Sequence, residues 1–578
     1  MEKQFGSDIF CQTIMDENIE MIFGIPGGVI LPLYDKLNQH GHKFKHILPR
    51  QEQGGGFAAD GYARATGKVG MAIGTSGPGA TNLMTCIINS MLDSVPVVYI
   101  TGQVIKDLTG TDAFQEADII GMSISCVKHS YFVTHARDIQ RVLKEAVYLA
   151  KTGRPGPVHV DIAKDAWISQ AVYEENPIMD LPGYVPIPEI CSDLDIKRID
   201  KLLSENNVRP IIIAGHGIEI SRAQKELLIF AENQNIPVVN TLLGLGNFPQ
   251  GNPLWLGMLG MHGDAVANYA VDDANLIIGI GTRFSDRIIG RLETFLKDKV
   301  FVHIDIDPSE IDKIVSATIP LPGDANDVLS RANNLLNKHS YTAWWEKIAK
   351  WKEKYGFLDF TVNPEHNSNL LSQPRLIKMI SDATDGEAIV ASDVGRNQMW
   401  TGRFYRFKHP NSYLSSGGLG SMGYGLPAAI GAKFGVPDRE VWTVSGDGGF
   451  MMNMQELGTV AEHKLPIKIA IMEDKALGMV RQWQKLLFKG NISHTDLVNP
   501  DFVKLADAFG IQGFKASTYK EAAEAIEKAR SINGPALITF QVDPDEHVFP
   551  MVPPNTPLKN QCLKDEDLTE KNEKNLSL

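Results

Sequence analysis

Residues 440–478 read EVWTVSGDGGFMMNMQELGTVAEHKLPIKIAIMEDKALG. The apolar run Val441–Val444 ends in a glycine turn, Ile467–Ile471 ends at Glu473–Asp474, and the residues between predict a helix from about Asn453. One strand–helix–parallel strand crossover accounts for all three. Both strand ends of such a unit emerge on the sheet edge where ligands bind, so Asp447 and Asp474 are expected to meet there. Two carboxylates suit a hard cation such as Mg2+, which completes its shell with phosphate oxygens and water. Gly446, Gly448 and Gly449 let main-chain N–H groups approach a phosphate, with a helix N-terminus behind them. Alone, a Gly-Asp-Gly turn after a strand is commonly just a tight turn. The second acidic strand end adds weight to binding.

The same pattern spreads outward from this crossover. Short apolar runs at Val69–Ile73, Val95–Ile100, Ile211–Ala214, Leu276–Ile280 and Phe301–Ile306 each precede a helix-like segment. Runs apolar at nearly every position suit strands covered on both faces, so the expected class is α/β with three doubly wound parallel-sheet domains. A Pro- and Gly-rich stretch, PIMDLPGYVPIP at 177–188, and the change from amphipathic to polar residues within 340–374 mark the boundaries. The expected domains are residues 1–180, 190–345 and 365–555, with a polar tail at 556–578 whose last stretch, 564–578, should fray in solvent.

Lys and Arg number 56 against 69 Asp and Glu, so the 578 residues carry a net charge of −13. Such a surface repels polyanions, which argues against nucleic acid or an anionic membrane as the main partner. The 5 cysteines are scattered without C-x-x-C spacing, so neither a disulfide framework nor a zinc site is indicated. The opening residues are acidic and lack a long apolar run, and no apolar stretch approaches the roughly 18 residues of a membrane span. A soluble, cytoplasmic protein is expected.

GDG followed some 25 residues later by a strand end resembles the signature of thiamin-diphosphate enzymes, in which that strand end contains Asn. The resemblance implies that Asp447, Asp474 and the Ala476 carbonyl hold Mg2+ against the diphosphate. It also implies cofactor contacts from Gly446, Gly448, Gly449 and Met479, and from Gly395, Arg396 and Asn397 in GRNQMW. Two departures stand out: Glu473–Asp474 replaces the family's Asn-Asn, and Arg396 replaces a usual Gln. The added negative and positive charges are expected to compensate, so that Asp474→Asn with Arg396 retained leaves cofactor affinity equal or better. SSGGLGSMGYGLPAAIGA at 415–432 resembles the segment that bends the cofactor, with Met422 as the wedge and the Gly420 carbonyl as acceptor. A Met between glycines is otherwise simple core filler.

RQEQGGGFAADGYARATG at 50–67 and GTSGPGATN at 74–82 are similar to two long motifs of the same family. The resemblance makes Glu52 the activator that shares a proton with the aminopyrimidine ring, the nucleophile being the cofactor's own. An isolated Glu there would be a solvated surface group. Because ring and diphosphate are bound by different domains, usually of different subunits, a homodimer or homotetramer is implied.

FGIPGG at 23–28, TGQVIKDLTGTDAFQEAD at 101–118, GMLGMHG at 257–263, GTRFSDR at 281–287 and GMVRQWQ at 478–484 narrow the resemblance to acetohydroxyacid (acetolactate) synthase large catalytic subunits, over about residues 5–555. It implies decarboxylation of pyruvate and transfer of a hydroxyethyl unit to a second 2-oxo acid, giving 2-acetolactate or 2-aceto-2-hydroxybutyrate in branched-chain amino acid biosynthesis. Gly28, Gln115 and Lys128 carry over as catalytic positions beside Glu52, with Phe114, Gln115 and Lys128 lining the substrate channel. Arg287 would meet the acceptor carboxylate, and Trp483 would favour 2-oxobutanoate. The plainer readings are a surface Arg paired with Asp286 and a packed core Trp.

The middle of the chain offers PIIIAGHG, LIIGIGTRF, FVHIDIDP and GDAND, strand ends followed by Gly or acid. This resembles the synthases' FAD domain, in which the flavin is largely structural. Arg154, Gly215, Gly217, Met261, His262, Gly281, Arg283, Asp305 and Asp324 would contact it, while His216 stands where a Gly is common. A small regulatory subunit is a possible further partner. A flavin-independent catabolic acetolactate synthase or another carboligase is the competing enzyme, and a non-catalytic scaffold paralogue the competing class.

Overall fold

Each apolar run named above forms a strand of the computed structural model, which describes residues 3–40, 43–175, 177–187, 189–356 and 370–567. The strands assemble into three six-stranded sheets, paired in parallel throughout, and a small antiparallel ribbon, Lys3–Phe5 with Gln170–Val172. Parallel strands need covered faces and crossover helices, and the fully apolar strands such as Leu276–Ile280 and Val97–Gln103 are buried along their whole length.

The N-terminal sheet has the order Lys45–Ile47, Met21–Gly24, Gly70–Gly74, Val97–Gln103, Val158–Ala163, His129–Val133. The C-terminal sheet repeats that connectivity as Tyr413–Leu414, Ile389–Ser392, Val441–Gly446, Ile467–Glu473, Ala536–Gln541, Gln512–Ala516. The middle sheet differs: Trp255–Met258, Val238–Asn240, Pro210–Ala214, Leu276–Ile280, Val300–Asp305, Ile319–Pro322 is the 3-2-1-4-5-6 order of dinucleotide-binding folds. In each sheet the chain changes its direction of travel at the crevice beside its first strand, and such crevices are where ligands bind.

The N- and C-terminal sheets share one hydrophobic core, whereas the middle sheet has its own. The seam between the first two is a helix pair, Glu52–Thr66 against Gly425–Gly435. Small residues set its closeness: a Cβ on Gly431 would lie 1.8 Å from the Ala58 carbonyl oxygen, and one on Gly61 2.2 Å from that of Ala428. Gln51 caps the first helix by accepting from the Gly54 amide, and Gly67 ends it in the left-handed region at φ 69°.

The helix expected from Asn453 begins earlier, at Asp447, and runs to Met452. Asn453 interrupts it because its side-chain amide donates to the Gly423 carbonyl, and a second helix follows at Leu457–Glu462. The amphipathic helix Thr342–Tyr355 packs Trp344 and Ile348 into the middle core. Leu558 and Cys562 are buried, Leu558 against that same core. Most of the stretch expected to fray, 568–578, lies outside the described residues, as does Pro188 of the 177–188 boundary.

Candidate active site

A cavity of about 750 Å³ is enclosed by residues of all three sheet domains, from Asp93 and Arg154 through His262 and Arg283 to Asp447 and Trp483. The C-terminal crevice supplies its acids. Asp447 opens a helix at the end of Val441–Gly446, and Asp474 follows the neighbouring strand Ile467–Glu473, so both line the cavity together with Ala476. Asp447 Oδ1 accepts from the Gly448 amide (2.9 Å), and its Oδ2 from the Lys475 amide (2.6 Å) and Asn499 Nδ2 (2.7 Å). Burial, then the neighbouring Asp474 charge, push the Asp447 carboxyl up, an imbalance that a bound cation reverses. Among the described residues no three His, Cys, Asp or Glu side chains converge on one point; the oxygen-bearing groups expected to act together, Asp447, Asp474 and Ala476, line the cavity side by side. Hard oxygen donors of this kind fit Mg2+ that draws its remaining ligands from a diphosphate and water.

Asp474 is tied on both oxygens: Oδ1 accepts from the Ala476 amide (2.9 Å), Oδ2 from Arg396 Nη2 (2.5 Å). Arg396 is 2% exposed, and its Nη1 donates to the carbonyls of Pro544 (2.8 Å) and Glu546 (2.7 Å). Its Nε has no partner, a buried donor orphaned in the wall of the cavity. The two departures from the family pattern are thus one buried ion pair. That geometry adds a cost in stability to the expectation for Asp474→Asn, which concerned cofactor affinity: the substitution would leave a buried guanidinium without its counter-charge, which is strongly destabilising. Glu473 does not line the cavity; it accepts from Thr539 Oγ1 (3.1 Å) and Gln541.

Gly395, Arg396, Asn397, Gly420, Met422, Gly446, Gly448, Gly449 and Met479 all line the cavity, as expected of a single site. Asn397 braces the crevice by donating to the carbonyls of Asp393 (2.8 Å) and Val444 (3.1 Å). A Cβ on Gly449 would stand 2.5 Å from Asp393 Oδ1, and one on Gly448 3.6 Å from Met422 Cε.

The middle crevice brings Gly217, Met261, His262, Gly281, Arg283, Asp305 and Asp324 to the same cavity, joined by Arg154 of the N-terminal domain. Gly215 does not line it: a Cβ there would lie 2.2 Å from the Gly281 carbonyl oxygen, and one on Gly281 2.5 Å from Gly217 Cα. These glycines let two loops pack on each other. Arg154 is engaged by Asp307 (3.2 Å) and Glu310 (2.6 Å), and Asp324 caps the helix Ala325–Leu335. Burial pushes Asp305 up to about 6 and, with Arg403 and Arg287 nearby, His262 down to about 3. His262 Nδ1 is buried without a partner. An orphan ring nitrogen and two acids on a 3-2-1-4-5-6 crevice fit the polar groups of a dinucleotide. His216, in place of the common Gly, turns Nδ1 toward the Asp93 carbonyl oxygen (3.1 Å) and Nε2 toward Glu219 (3.4 Å).

Arg287 lies at the cavity with its side chain exposed, 3.5 Å from Asp286 and 3.7 Å from Met261 Sδ. Trp483 both lines the cavity and packs against the Met261, Met551 and Cys562 cluster.

Glu52, Gly28, Phe114, Gln115 and Lys128 are not among the lining residues. They sit on the N-terminal domain. Glu52 opens its helix, Oε2 accepts from Asn82 Nδ2 (2.9 Å), and Oε1 is 3.3 Å from where a Gly79 Cβ would stand. The Gln115 carbonyl oxygen is 2.9 Å from a Cβ built on Gly77, which caps the helix Pro78–Asn82; Gly28 has open space on its Cβ side, and Phe114 is 89% exposed. Lys128 is turned inward, donating to the carbonyls of Leu149 (2.5 Å) and Thr152 (2.7 Å), and burial lowers it to about 8.

Three residues of the site escape sequence reasoning. Asn499, in an irregular segment, carries no local signal for its contact with Asp447. Asp393 follows the apolar run Ile389–Ser392 and precedes a glycine turn, the same signal that marked Asp447, and accepts from the Gly423 (3.0 Å) and Gly425 (3.1 Å) amides. Asp93 ends the helix Met84–Asp93 and reaches the C-terminal domain, which no local pattern announces.

Three family models match the chain: the thiamine pyrophosphate enzyme N-terminal TPP binding domain at residues 5–122, the central domain at 196–332 and the C-terminal TPP binding domain at 393–540. The chain is 45% identical to the acetolactate synthase large subunit of Corynebacterium glutamicum, covering 95% of this chain and 89% of the relative. It is 43% identical to a probable acetolactate synthase large subunit of Methanocaldococcus jannaschii (96% and 94% covered) and 40% identical to the chloroplastic acetolactate synthase 2 of Nicotiana tabacum (96% and 84%). With crevice, acids and glycine loops in place over nearly the full length of these relatives, the chain belongs to the thiamine pyrophosphate enzyme family, among the acetolactate synthases.

Proposed function

We propose that this chain decarboxylates pyruvate on thiamin diphosphate and transfers the hydroxyethyl unit to a second 2-oxo acid, giving 2-acetolactate or 2-aceto-2-hydroxybutyrate on the way to valine, leucine and isoleucine. The observation that carries this reading is a single cavity lined at once by Asp447, Asp474 and Ala476 and by Met261, Arg287 and Trp483. When bound, thiamin diphosphate supplies the carbon nucleophile and the electron sink for decarboxylation. Asp447, Asp474 and the Ala476 carbonyl would hold Mg2+, with the glycine amides at 446–449 and Arg396 Nε facing the diphosphate. The Arg396–Asp474 pair keeps the extra carboxylate from adding uncompensated negative charge there.

Glu52 acts from a second copy of the chain: Asn82 holds Oε2, and Oε1 beside Gly79 is the atom that gives and takes the ring proton. A homodimer, or a homotetramer of two such dimers, is therefore the active unit. Arg287 binds the acceptor carboxylate, Trp483 packs against its alkyl end, and Phe114 and Gln115 line the entry from the neighbouring chain. FAD occupies the middle crevice in a structural role. The relatives' designation as large subunits supports a small regulatory partner. Among the described residues no helix is long and apolar enough to cross a membrane, in keeping with a cytoplasmic location.

The test is purified protein with pyruvate, Mg2+ and thiamin diphosphate, scored for acetolactate and for yellow colour. Yellow, active protein is expected. Colourless active protein points to the flavin-independent catabolic enzyme, and an inactive reconstituted protein to a scaffold.

A further inference from the structure

The loop 415–424, which carries Gly420 and Met422 into the cavity, is clamped by two buried carboxylates from different domains. Asp393, of its own domain, takes the later half through the Gly423 and Gly425 amides. Asp93, of the N-terminal domain, takes the earlier half: Oδ2 accepts from the Gly417 amide (3.0 Å) and Oδ1 from the Gly418 amide (2.7 Å). Residues 417–420 form the exposed tip of the loop, and Gly420, at φ 73°, has open space on its Cβ side. The Asp93 side is built with care. Asp93 is 2% exposed; Arg64 Nη2 donates to its Oδ2 (2.7 Å) and Arg64 Nε to Asp60 (2.6 Å). Asp60 in turn receives the Tyr424 hydroxyl (2.8 Å), and Asn89 Oδ1 receives the Ser416 hydroxyl (2.6 Å), so both ends of the loop are tied to the same charged cluster. The Asp93 carbonyl meets His216 of the middle domain, which places this residue at the junction of all three.

We propose that Asp93 is a positioning residue for the reaction: through the Gly417 and Gly418 amides it holds the tip of the cofactor loop so that Gly420 and Met422 meet thiamin diphosphate in a fixed geometry. This rests on the thiamin diphosphate reading above. A neutral amide cannot replace the carboxylate, because one of its two heads is a donor and would face either a glycine N–H or the Arg64 guanidinium. Charge-assisted hydrogen bonds of this kind, lost inside a protein, change an equilibrium by about tenfold or more.

The experiment measures thiamin diphosphate binding by tryptophan fluorescence in saturating Mg2+, with melting temperature and steady-state kinetics, on the full chain. Asp93→Asn is expected to weaken binding about tenfold or more and to lower kcat while KM for pyruvate stays within about twofold. Gly418→Ala attacks the same contact from the other side, since its Cβ would lie 2.8 Å from Asp93 Oδ1. It should give the same loss, and the double variant should be no worse than the weaker single. Leu203→Ala, a cavity in the middle core, supplies a purely structural reference: a lower melting temperature with unchanged affinity. Parent-like affinity in Asp93→Asn, or losses that multiply in the double variant, would overturn the proposal. If Asp93→Asn does not fold, parent-like affinity in Gly418→Ala overturns it. Failure of the parent itself to bind thiamin diphosphate would remove the functional reading and this inference together, whereas a binding parent with an indifferent Asp93→Asn removes the inference alone.

Discussion

The N- and C-terminal sheets have the same strand order, yet their crevices are finished in opposite ways. The C-terminal crevice, between Ile389–Ser392 and Val441–Gly446, opens into the cavity with Asp447, Asp474 and a set of glycines. The N-terminal crevice, between Met21–Gly24 and Gly70–Gly74, leads to the loops that bear Gly28, Gly77 and Gly79, the last of them beside Glu52, and none of these lines the cavity. On the proposed reading, one topology serves as a half-site for an anionic tail and, elsewhere on the same chain, as a half-site with one carboxylate. Neither is complete alone, which is the physical reason to expect two copies facing each other.

The largest expected effect tests that division. Glu52→Gln should lower acetolactate formation by ~10²–10⁴-fold, the range of a lost general acid–base group, while Mg2+-dependent cofactor binding persists. Co-expressing Glu52→Gln and Asp447→Asn chains should restore activity, because a mixed dimer then holds one intact site; no restoration in mixed dimers would place both halves within one chain.

Next comes the charge balance of the C-terminal edge. Asp474→Asn should destabilise the protein by ~3–5 kcal/mol through the stranded Arg396. Adding Arg396→Gln should recover most of the loss in a denaturant melt, and additive losses would mean the two side chains are not coupled.

The N-terminal sheet has a buried carboxylate of another kind. Asp161 is held by Thr101 Oγ1 (2.6 Å) and Gln103 Nε2 (3.1 Å) rather than by a cation, and burial raises it from 3.8 to about 7. A raised folded-state value means its contribution to stability is fully present below pH 3.8 and is lost as pH rises through about 7. Over that window the parent should lose up to ~4 kcal/mol that Asp161→Asn does not lose, measured as the difference between their pH–stability curves. Equal slopes would contradict it.

The smallest effect concerns Asn499. Asn499→Ala should weaken Mg2+ binding by ~10–100-fold, as for other groups that orient a metal ligand, with a titration of Mn2+ as the readout. Unchanged affinity would show that the Lys475 amide suffices to hold Asp447.

Much of this was legible locally. An apolar run ending in Gly-Asp-Gly marks a strand end, so Val441–Gly446 with Asp447 at its tip followed from residues within a few positions of each other, although a helix rather than a turn begins there. The Arg396–Asp474 compensation was legible as charge but not as geometry: adjacency means that Asp474→Asn, expected to leave cofactor affinity equal or better, also strands a buried cation. Lys128 shows the converse, a residue matched to a channel whose ammonium is in this fold bound to the end of a neighbouring helix.

From the sequence alone came three doubly wound sheets, the acidic strand ends and the glycine loops, because alternation of apolar runs and turns is dictated by neighbours along the chain. Only the tertiary structure decided which carboxylates share a wall, that Glu52 stands apart from them, and that Asp93 reaches the Gly417 and Gly418 amides. Such contacts depend on how whole sheets dock, and a buried charge finds its partner through that docking rather than through any pattern in the residues beside it.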